Sequence, residues 1–415
     1  MKKLLVLLLC ATVSFSVFAN GSSEKGSSAD EPKTIEILLS DDSLEGGAMS
    51  ALVDKWNNTH DEFKVKLNEI AYGDIKTQLM NRASIGELPA LGRTTKINSY
   101  TDFLLPLDDI GFTQADFVRN GTRNGELLAT PINSTAVGLI INKTAFDQAG
   151  VAYPLTEADR WTWDEFLVAL DKVVANSDVD YGLVIDHSAQ RNRTILYQFG
   201  MQIFDPNDAT KIAADSPEAL EGMNFILDLY KNGYSPASIG LGTENAQSTF
   251  KTGKVAAHLS GNWVLTDYTD NIDSFEWIPV LAPYEKEKAT CLGGNFLFGF
   301  EGTGDEAEAQ QFIKWFYQPE NYSEYCAIGN YLPAMKGVDV TYEVKGMDIF
   351  NMEINATIDQ PNNDEIVKDL HAGESFGNAL RDGIDKAIAG ELDAQGAIDY
   401  YVTQINENFT GMSIK

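Results

Sequence analysis

The sequence is poor in cysteine, histidine and basic residues. Its 415 residues include three cysteines, four histidines, 31 lysines plus arginines and 61 aspartates plus glutamates, giving a net charge of −30 at pH 7. So few cysteines exclude a small scaffold held together by disulfides. The scattered histidines lack the spacing of a zinc site, so we expect no metal. Phosphate backbones and anionic lipid surfaces repel such an acidic chain, so we expect no nucleic-acid partner and no membrane-surface partner.

The sequence also lacks the local motifs of common enzymes. It contains no GxSxG elbow, no Walker loop and no strand–GxGxxG–helix unit, so we expect no cofactor and no catalytic residues. Acidic pairs on polar loops are common by chance in a chain with 61 acidic residues. A secreted polysaccharide-degrading enzyme remains an alternative, because the two carboxylates it needs, roughly 5 to 10 Å apart, cannot be recognised in a sequence.

Long apolar runs are absent except at the start of the chain. Lys2-Lys3 precedes an almost uncharged apolar run, residues 4–18, which ends beside the small residue Ala19. This pattern predicts a signal peptide over residues 1–19, cleaved after Ala19, and export to the periplasm or another extracytoplasmic space. An uncleaved anchor is an alternative, although the run is shorter than the roughly 20 residues of a membrane span. Lipidation at Cys10 is another, but the leucines before it are too bulky for that cleavage.

Two regions of the mature chain have simple interpretations. Residues 20–33 are rich in Ser, Gly and charge, which predicts a flexible tether. Cleavage would leave Cys291 and Cys326, which form either one disulfide or, as the default, two small buried thiols. The remaining chain is long enough for two or three globular units.

Strand and helix patterns alternate in the first part of the mature chain. Predicted strands at 34–39 and 63–70 alternate with predicted helices at 48–58 and 73–83, which is typical of an α/β fold with helices on the faces of a parallel sheet. A helix is predicted to open at Trp163 with Thr162 as its N-cap. Further helices are predicted at 217–232, 244–251, 307–317 and 376–409, the last broken near Gly390. Further strands are predicted at 255–259, 277–281 and 296–300.

Six segments, in order along the chain, resemble one family. They are 128–151 (LATP…GLIINKTAF…AGV) leading into 161–166 (WTWDEF), 250–263 (FKTGKVAA…SGNW), 291–295 (CLGGN), 309–320 (AQQFIKWFYQPE), 329–334 (GNYLPA) and 379–390 (ALR…AG). Together these segments resemble the extracellular solute-binding proteins of ABC importers, in the family 1, sugar-binding group. The sequence departs from the family's pattern at Ile141, where tyrosine is frequent, at 89–93, and at Asn262, which stands in place of a proline.

The resemblance implies a periplasmic-binding-protein-like fold and a transport function. Two α/β lobes would be joined by crossover hinge strands, with lobe 1 at 34–138 and 295–335 and lobe 2 at 139–294 and 336–415. The ligand would bind between the lobes, which would close by bending near 136–141 and 292–297. The implied protein is a non-enzymatic, monomeric receptor that delivers a carbohydrate to ABC permease subunits. Alternatives are another polar solute, such as a polyol, a glycerophosphodiester or a peptide, and a receptor that reports to a sensor kinase.

Candidate ligand-binding residues follow the predicted strands or match the family's motifs. Ligands of open α/β sheets bind beyond the carboxyl ends of strands, and clefts between domains favour pockets. A sugar cleft needs hydrogen-bonding groups interleaved with aromatic rings. Trp56, Trp163 and Trp315 are expected in the core, because they lie on amphipathic helices. The candidates are Asp41, Asp42, Tyr72, Thr94, Thr95, Asn133, Thr135, Asp186, His187, Gln190, Trp263, Gly294, Asn295, Tyr331 and Arg381.

Overall fold

The computed structural model describes residues 32–40, 42–43, 46–95, 97–119, 121–123, 125–361, 363–364, 367, 375–408 and 413–414. The predicted signal peptide, most of the predicted tether and the candidate Asp41 lie outside these residues. Within them, no helix is both long enough and apolar enough to cross a membrane.

The described elements include strands and helices in alternation. The strands are β1 (Lys33–Ser40), β2 (Phe63–Ile70), β3 (Leu91–Thr94), β4 (Thr122–Arg123), β5 (Glu126–Leu127), β6 (Thr130–Pro131), β7 (Thr135–Asn142), β8 (Tyr181–Ile185), β9 (Phe204–Asp205), β10 (Asp208–Ile212), β11 (Val255–Gly261), β12 (Trp277–Val280), β13 (Leu292–Gly293), β14 (Phe296–Gly299) and β15 (Ser413–Ile414). The helices are α1 (Ala48–Thr59), α2 (Ile75–Ile85), α3 (Lys143–Ala149), α4 (Trp163–Asn176), α5 (Ala189–Gln198), α6 (Pro217–Lys231), α7 (Ala237–Gly240), α8 (Ala246–Lys251), α9 (Leu265–Asn271), α10 (Glu306–Phe316), α11 (Pro319–Ile328), α12 (Met347–Ala356), α13 (Ser375–Ile388) and α14 (Ala394–Asn408).

The first lobe is built on a sheet with the order β2-β1-β3-β14-β6. β1 pairs in parallel with β2 and β3, whereas β14 runs antiparallel to β3 and β6, so the predicted parallel sheet is in fact mixed. Both faces are covered, because alternate residues of a strand point to opposite sides. Ile35, Ile37 and Leu39 of β1 enter one apolar cluster, while Leu38 enters another.

The second lobe is built on a sheet with the order β12-β7-β11-β8, to which β13 adds by pairing with β7. β11 runs parallel to β8 and antiparallel to β7. β7 also has two buried faces: Val137, Leu139 and Ile141 join one apolar cluster, and Ala136 and Ile140 join the other. The mixed α/β architecture with two lobes confirms the predicted fold class.

The described chain passes between the two sheets three times. The first passage links β6 to β7 through Asn133 and Ser134, and the second links β13 to β14 through Gly294 and Asn295. The third follows α11 and reaches α12, at Met347, after Leu332 has paired with Ser134. The lobe boundary expected after residue 138 therefore falls inside β7, which pairs with strands of the second sheet from Thr135 onward.

Many of these elements were predicted from local sequence patterns. Helix α4 opens with a capping box in which Thr162 and Glu165 satisfy each other's backbone N–H groups. Trp56 and Trp163 are buried as expected, whereas Trp315 is only partly buried. Helices α5, α9, α11 and α12 were not predicted. Cys291 and Cys326 are free and buried in different clusters, so the default expectation of two thiols agrees with the structure.

Candidate functional site

The two sheets present their carboxyl edges to the passages between the lobes. In the first lobe, β1, β2, β3 and β6 end at this edge, where β14 begins. In the second lobe, β8 and β11 end beside the start of β7 and the end of β13. The candidates predicted to follow strands are therefore brought to one junction, at the position where open α/β sheets bind ligands.

The first and second passages are joined by the side chain of Asn133. Its Oδ1 accepts from the Asn295 backbone N–H at 2.6 Å, and the Ile132 N–H donates to the Asn295 carbonyl at 3.0 Å. Gly294 has φ 135°, and a Cβ there would lie 2.1 Å from the Asn133 carbonyl oxygen. Only glycine tolerates both conditions. Asn133 and Gly294 thus have structural duties in the junction.

A second asparagine joins the first passage to the third. Asn262 is fully buried; its Oδ1 accepts from the Ala136 N–H and its Nδ2 donates to the Asn330 carbonyl, both at 3.0 Å. Asn330 has φ 50°, and its own side chain donates to Thr266 Oγ1 at 2.7 Å. Asn262 is the residue that departs from the family's proline, and a proline could form neither side-chain bond. Sequence reasoning flagged the departure but did not find this role.

The carboxyl edge of the first sheet, which forms the first lobe's wall of the junction, carries an exposed aromatic ring. Tyr72 follows β2, keeps 44% of its surface exposed, and its hydroxyl lies 2.7 Å from Thr95 Oγ1. Thr95 follows β3, so two strands that run parallel on either side of β1 bring a ring and a hydroxyl group together. Thr94, by contrast, is buried within β3. Among the described candidates that follow strands of this lobe, Tyr72 is exposed and Thr95 is partly exposed.

Two further candidates on the first lobe have structural roles instead. Asp42 is fully buried, and its carboxylate accepts from the backbone N–H groups of Met49 and Ser50 at 2.8 and 2.9 Å. It therefore satisfies the first turn of α1. Tyr331 is 1% exposed and packs against Tyr325, and its hydroxyl accepts from Arg93 Nη2 at 3.1 Å. The expectation that Asp42 and Tyr331 face the ligand is corrected by this burial.

Asp186 is the centre of a hydrogen-bond network at the end of β8. Its Oδ1 accepts from His258 Nε2 at 2.7 Å, and its Oδ2 accepts from Ser260 Oγ at 2.6 Å. Arg191 Nε and Nη2 donate to the same Oδ2 at 2.9 and 2.6 Å. In a neutral His258 the Nδ1 accepts from the Tyr268 hydroxyl, which lies 2.6 Å away. The carboxylate is thus occupied by protein donors, and Asp186 holds the guanidinium of Arg191 in place.

The charges around Asp186 decide its protonation state. Burial would raise the pKa of this carboxyl, but the positive charge of Arg191 and the interaction with His258 outweigh burial and hold the pKa well below its ordinary value. Asp186 is therefore ionised at neutral pH, and the Asp186–Arg191 pair carries no net charge.

Trp263 follows β11 and lies beside this network. The ring is partly buried, contacts both apolar clusters of the second lobe, and has the Arg191 guanidinium 4.3 Å from its centroid. A Cβ on Gly261 would lie 2.1 Å from two carbon atoms of the indole. Gly261 therefore lets the ring fold back against its own strand, with Arg191 over it.

The remaining candidates of the second lobe lie around the same edge. Gln190 lies in the first turn of α5, and its Nε2 donates to the Leu292 carbonyl at 3.3 Å. Thr135 Oγ1 would be 2.6 Å from a Cβ on Gly293, so Thr135 lies against the second passage. His187 Nε2 lies 2.9 Å from Asp385 Oδ1, and Arg381 pairs with its neighbour Asp382 on α13.

The described residues contain no cluster that could hold a metal ion, and a separate pocket lies away from this junction. Across the described ranges, no group of three or more His, Cys, Asp or Glu side chains is placed to hold a metal ion. A pocket of about 510 Å³ opens elsewhere on the second lobe, between the turn after α5 and the start of α6. Its lining contains none of the predicted site residues, whereas the junction gathers most of them.

The low pKa of Asp186 predicts how the free energy of unfolding changes at acidic pH. An aspartate whose folded-state pKa lies below 3.8 contributes stability that is present above that value and is lost as pH falls through the folded-state pKa. We expect the free energy of unfolding of the wild type to fall more steeply between about pH 4 and about pH 2 than that of Asp186→Asn. Urea titrations across this range measure both slopes, and parallel slopes would contradict the network.

Solved structures of other proteins share this fold. The GacH receptor of Streptomyces glaucescens GLA.O, solved without ligand and with acarbose, has 19% identity and a TM-score of 0.76, covering 92% of this chain and 100% of that one. An ABC substrate-binding protein of Listeria monocytogenes in complex with cycloalternan has 20% identity and a TM-score of 0.73, with coverages of 92% and 100%. Maltose-bound MalE3 of T. maritima has 18% identity and a TM-score of 0.74, with coverages of 90% and 99%.

Sequence comparisons give the family. A curated binding protein of Brucella abortus (strain 2308) is 20% identical over 241 residues, so the match spans 56% of this chain and little more than half, 57%, of that relative. The model of the family described as bacterial extracellular solute-binding protein matches residues 51–348. That range includes all three passages, the Asp186 network, the whole second sheet and every strand of the first sheet except β1. The chain belongs to the family of bacterial extracellular solute-binding proteins.

Proposed function

We propose that this protein is an exported, monomeric receptor that binds a saccharide between its two lobes and delivers it to the membrane permease of an ABC importer. The observation that carries this proposal is the pairing of two walls at one junction. One wall offers Tyr72 with Thr95, and the other offers Trp263 with Arg191 and Gln190. Sugars combine hydroxyl groups with flat C–H faces, and these walls combine donors, acceptors and rings.

The nature of the relatives supports the same proposal. The family consists of binding proteins, and the solved structures of similar fold contain acarbose, cycloalternan or maltose. These ligands are carbohydrates of different shape and length. A saccharide is therefore the ligand class that we carry over to this chain, while the side chains at its junction would select among saccharides.

Closure would bend the passages and not the strands. Part of the predicted hinge, residues 136–141, lies in β7, which is paired with β11 on one side and with β12 and β13 on the other. Bending there would break ladder hydrogen bonds. We therefore propose that the lobes meet at Asn133–Ser134 and at Gly294–Asn295, and that ligand shifts the open–closed equilibrium about these segments.

Ligand screening tests the function. A ligand that binds only the native state raises stability by RT ln(1 + [L]/Kd). We expect at least one of maltose, maltotriose, acarbose and cycloalternan to raise the melting temperature of the mature protein, and to reduce its radius of gyration in X-ray scattering. Polyols, glycerophosphodiesters and peptides form the comparison panel. Stabilisation by one of these alone would contradict saccharide binding, whereas an unchanged radius at saturation would contradict closure alone.

The location of the protein is part of the proposal. We propose that residues 1–19 are removed on export, so that the mature chain begins at Asn20 in the periplasm or another extracytoplasmic space. Intact mass and N-terminal sequencing of the exported material test this. A product that retains residues 1–19, or a diacylglyceryl group on Cys10, would contradict it.

Two tryptophans provide a matched test of the site. Trp263→Ala should weaken saccharide binding by about 2 to 4 kcal/mol, roughly 30- to 1000-fold. Trp163 is 1% exposed and donates to Gln198 Oε1 at 2.8 Å. Trp163→Ala should instead lower the free energy of unfolding by about 3 to 5 kcal/mol while the folded fraction binds normally.

Calorimetry with and without ligand separates the two variants. Because Trp263 also contacts the apolar clusters, its replacement lowers stability as well, but by less than the replacement of Trp163. Normal affinity together with a collapsed melting temperature for Trp263→Ala would make Trp263 a core residue.

A further inference from the structure

The guanidinium of Arg191 is held between a buried acid network and an aromatic ring. Four of its five N–H groups donate to described residues: Nε and Nη2 to Asp186, and Nη1 to Ser188 Oγ at 3.3 Å and to Gln190 Oε1 at 3.1 Å. Its side chain keeps 12% of its surface exposed. These bonds fix the position and the plane of a group that is otherwise among the most flexible in proteins.

The network behind Arg191 is rigid. His258 and Ser260 are both fully buried on β11, and each donates to the Asp186 carboxylate. Tyr268 on α9 holds the far side of the His258 ring. Asp186 is thus a positioning residue, fixed from two elements, and it holds Arg191 by two bonds to one oxygen. A preformed donor loses little entropy when a ligand binds.

The ring of Trp263 is therefore not a bare stacking surface. Gly261 lies against the benzene part of the indole, and Arg191 lies 4.3 Å from the ring centroid. The planar guanidinium gains a cation–π interaction from this contact. A ligand that approaches the ring from the side of Arg191 meets the guanidinium before it meets the indole.

We propose that Arg191 is a specificity-determining residue of the cleft, which donates the N–H group left over by its bonds to the protein, on Nη2, to an oxygen atom of an uncharged saccharide while the Trp263 ring packs against the guanidinium. This inference rests on the proposed saccharide-binding function. Asp186 already balances the charge of Arg191. A carboxylate on the ligand would therefore meet no uncompensated positive charge at this position. The net charge of −30 also repels anionic saccharides. Hydroxyl oxygens of a neutral sugar accept from the guanidinium without either penalty.

Removal of the guanidinium tests the proposal. Titration calorimetry compares the wild type with Arg191→Ala, using maltotriose and acarbose as probes. We expect Arg191→Ala to bind about 10- to 100-fold more weakly, which corresponds to about 1.4 to 2.8 kcal/mol. Arg191→Lys should lose nearly as much, because a lysine ammonium neither stacks on the indole nor donates to Asp186 in the same fork. Raising the salt concentration should change wild-type affinity little, because a neutral ligand has no charge to screen.

A matched control separates the local effect from the loss of any arginine. Arg82 on α2 pairs with Glu36 in β1, and its side chain is 24% exposed. This pair is also half-buried, but Glu36 lies in the middle of β1 and not at the carboxyl edge of the sheet. Arg82→Ala should leave the affinity unchanged. If Arg191→Ala does not fold, Arg191→Gln, which keeps a planar donor without the charge, is measured instead and should also bind more weakly.

The possible outcomes are distinct. Equal or tighter binding by Arg191→Ala, with a wild type that binds, would overturn the role of Arg191, because it would mean that the arginine only covers the ring and is displaced by the sugar. A wild-type preference for acidic saccharides that weakens with salt would overturn the uncharged ligand class. A wild type that binds no saccharide at all would overturn the proposed function itself, and this inference with it.

Discussion

The architecture depends on the satisfaction of backbone polar groups where the chain passes between the lobes. Three passages lie side by side there, and buried N–H and C=O groups without partners would be costly. Ser134 and Leu332 bond each other, Asn133 bonds Asn295, and Asn262 bonds Ala136 and the Asn330 carbonyl. Because side-chain amides and not continuous strands supply much of this bonding, the proposed bending of these segments would break few ladder hydrogen bonds. The same geometry brings the carboxyl edges of both sheets to one place.

Most of the fold could be predicted because its signals are local. The 63–70 strand and the capping-box helix at Trp163 depend on alternation and on one cap, which are visible in a few residues. The unpredicted α5 carries Gln190, Arg191 and Arg193 and buries several polar residues, so its sequence lacks the separate apolar and polar faces by which an amphipathic helix is recognised. The antiparallel direction of β14 could not be predicted either, because it depends on the chain returning from the other lobe.

The site was harder to predict, because the sequence marks where a side chain lies but not what it contacts. Strand ends located Tyr72, Thr95, Asp186 and Trp263. The same rule selected Asp42, since it could not reveal that α1 uses the Asp42 carboxylate. A family motif selected Tyr331, and a motif could not reveal that Tyr331 packs in the first lobe. Arg191 was not among the candidate residues chosen from the sequence. Its importance arises from the distant residues His258 and Ser260, which orient Asp186, and no spacing rule connects them.

The acidic composition and the chemistry of the junction are consistent with each other. A protein with a net charge of −30 has many carboxylates, and an unpaired carboxylate that lost its water to a neutral ligand would weaken binding. At the junction, the Asp42 carboxylate faces the first turn of α1, and the Asp186 carboxylate is balanced by Arg191. Neither acid is left to repel the ligand's lone pairs. The surplus negative charge then acts at longer range, where it disfavours anions and leaves uncharged saccharides unaffected.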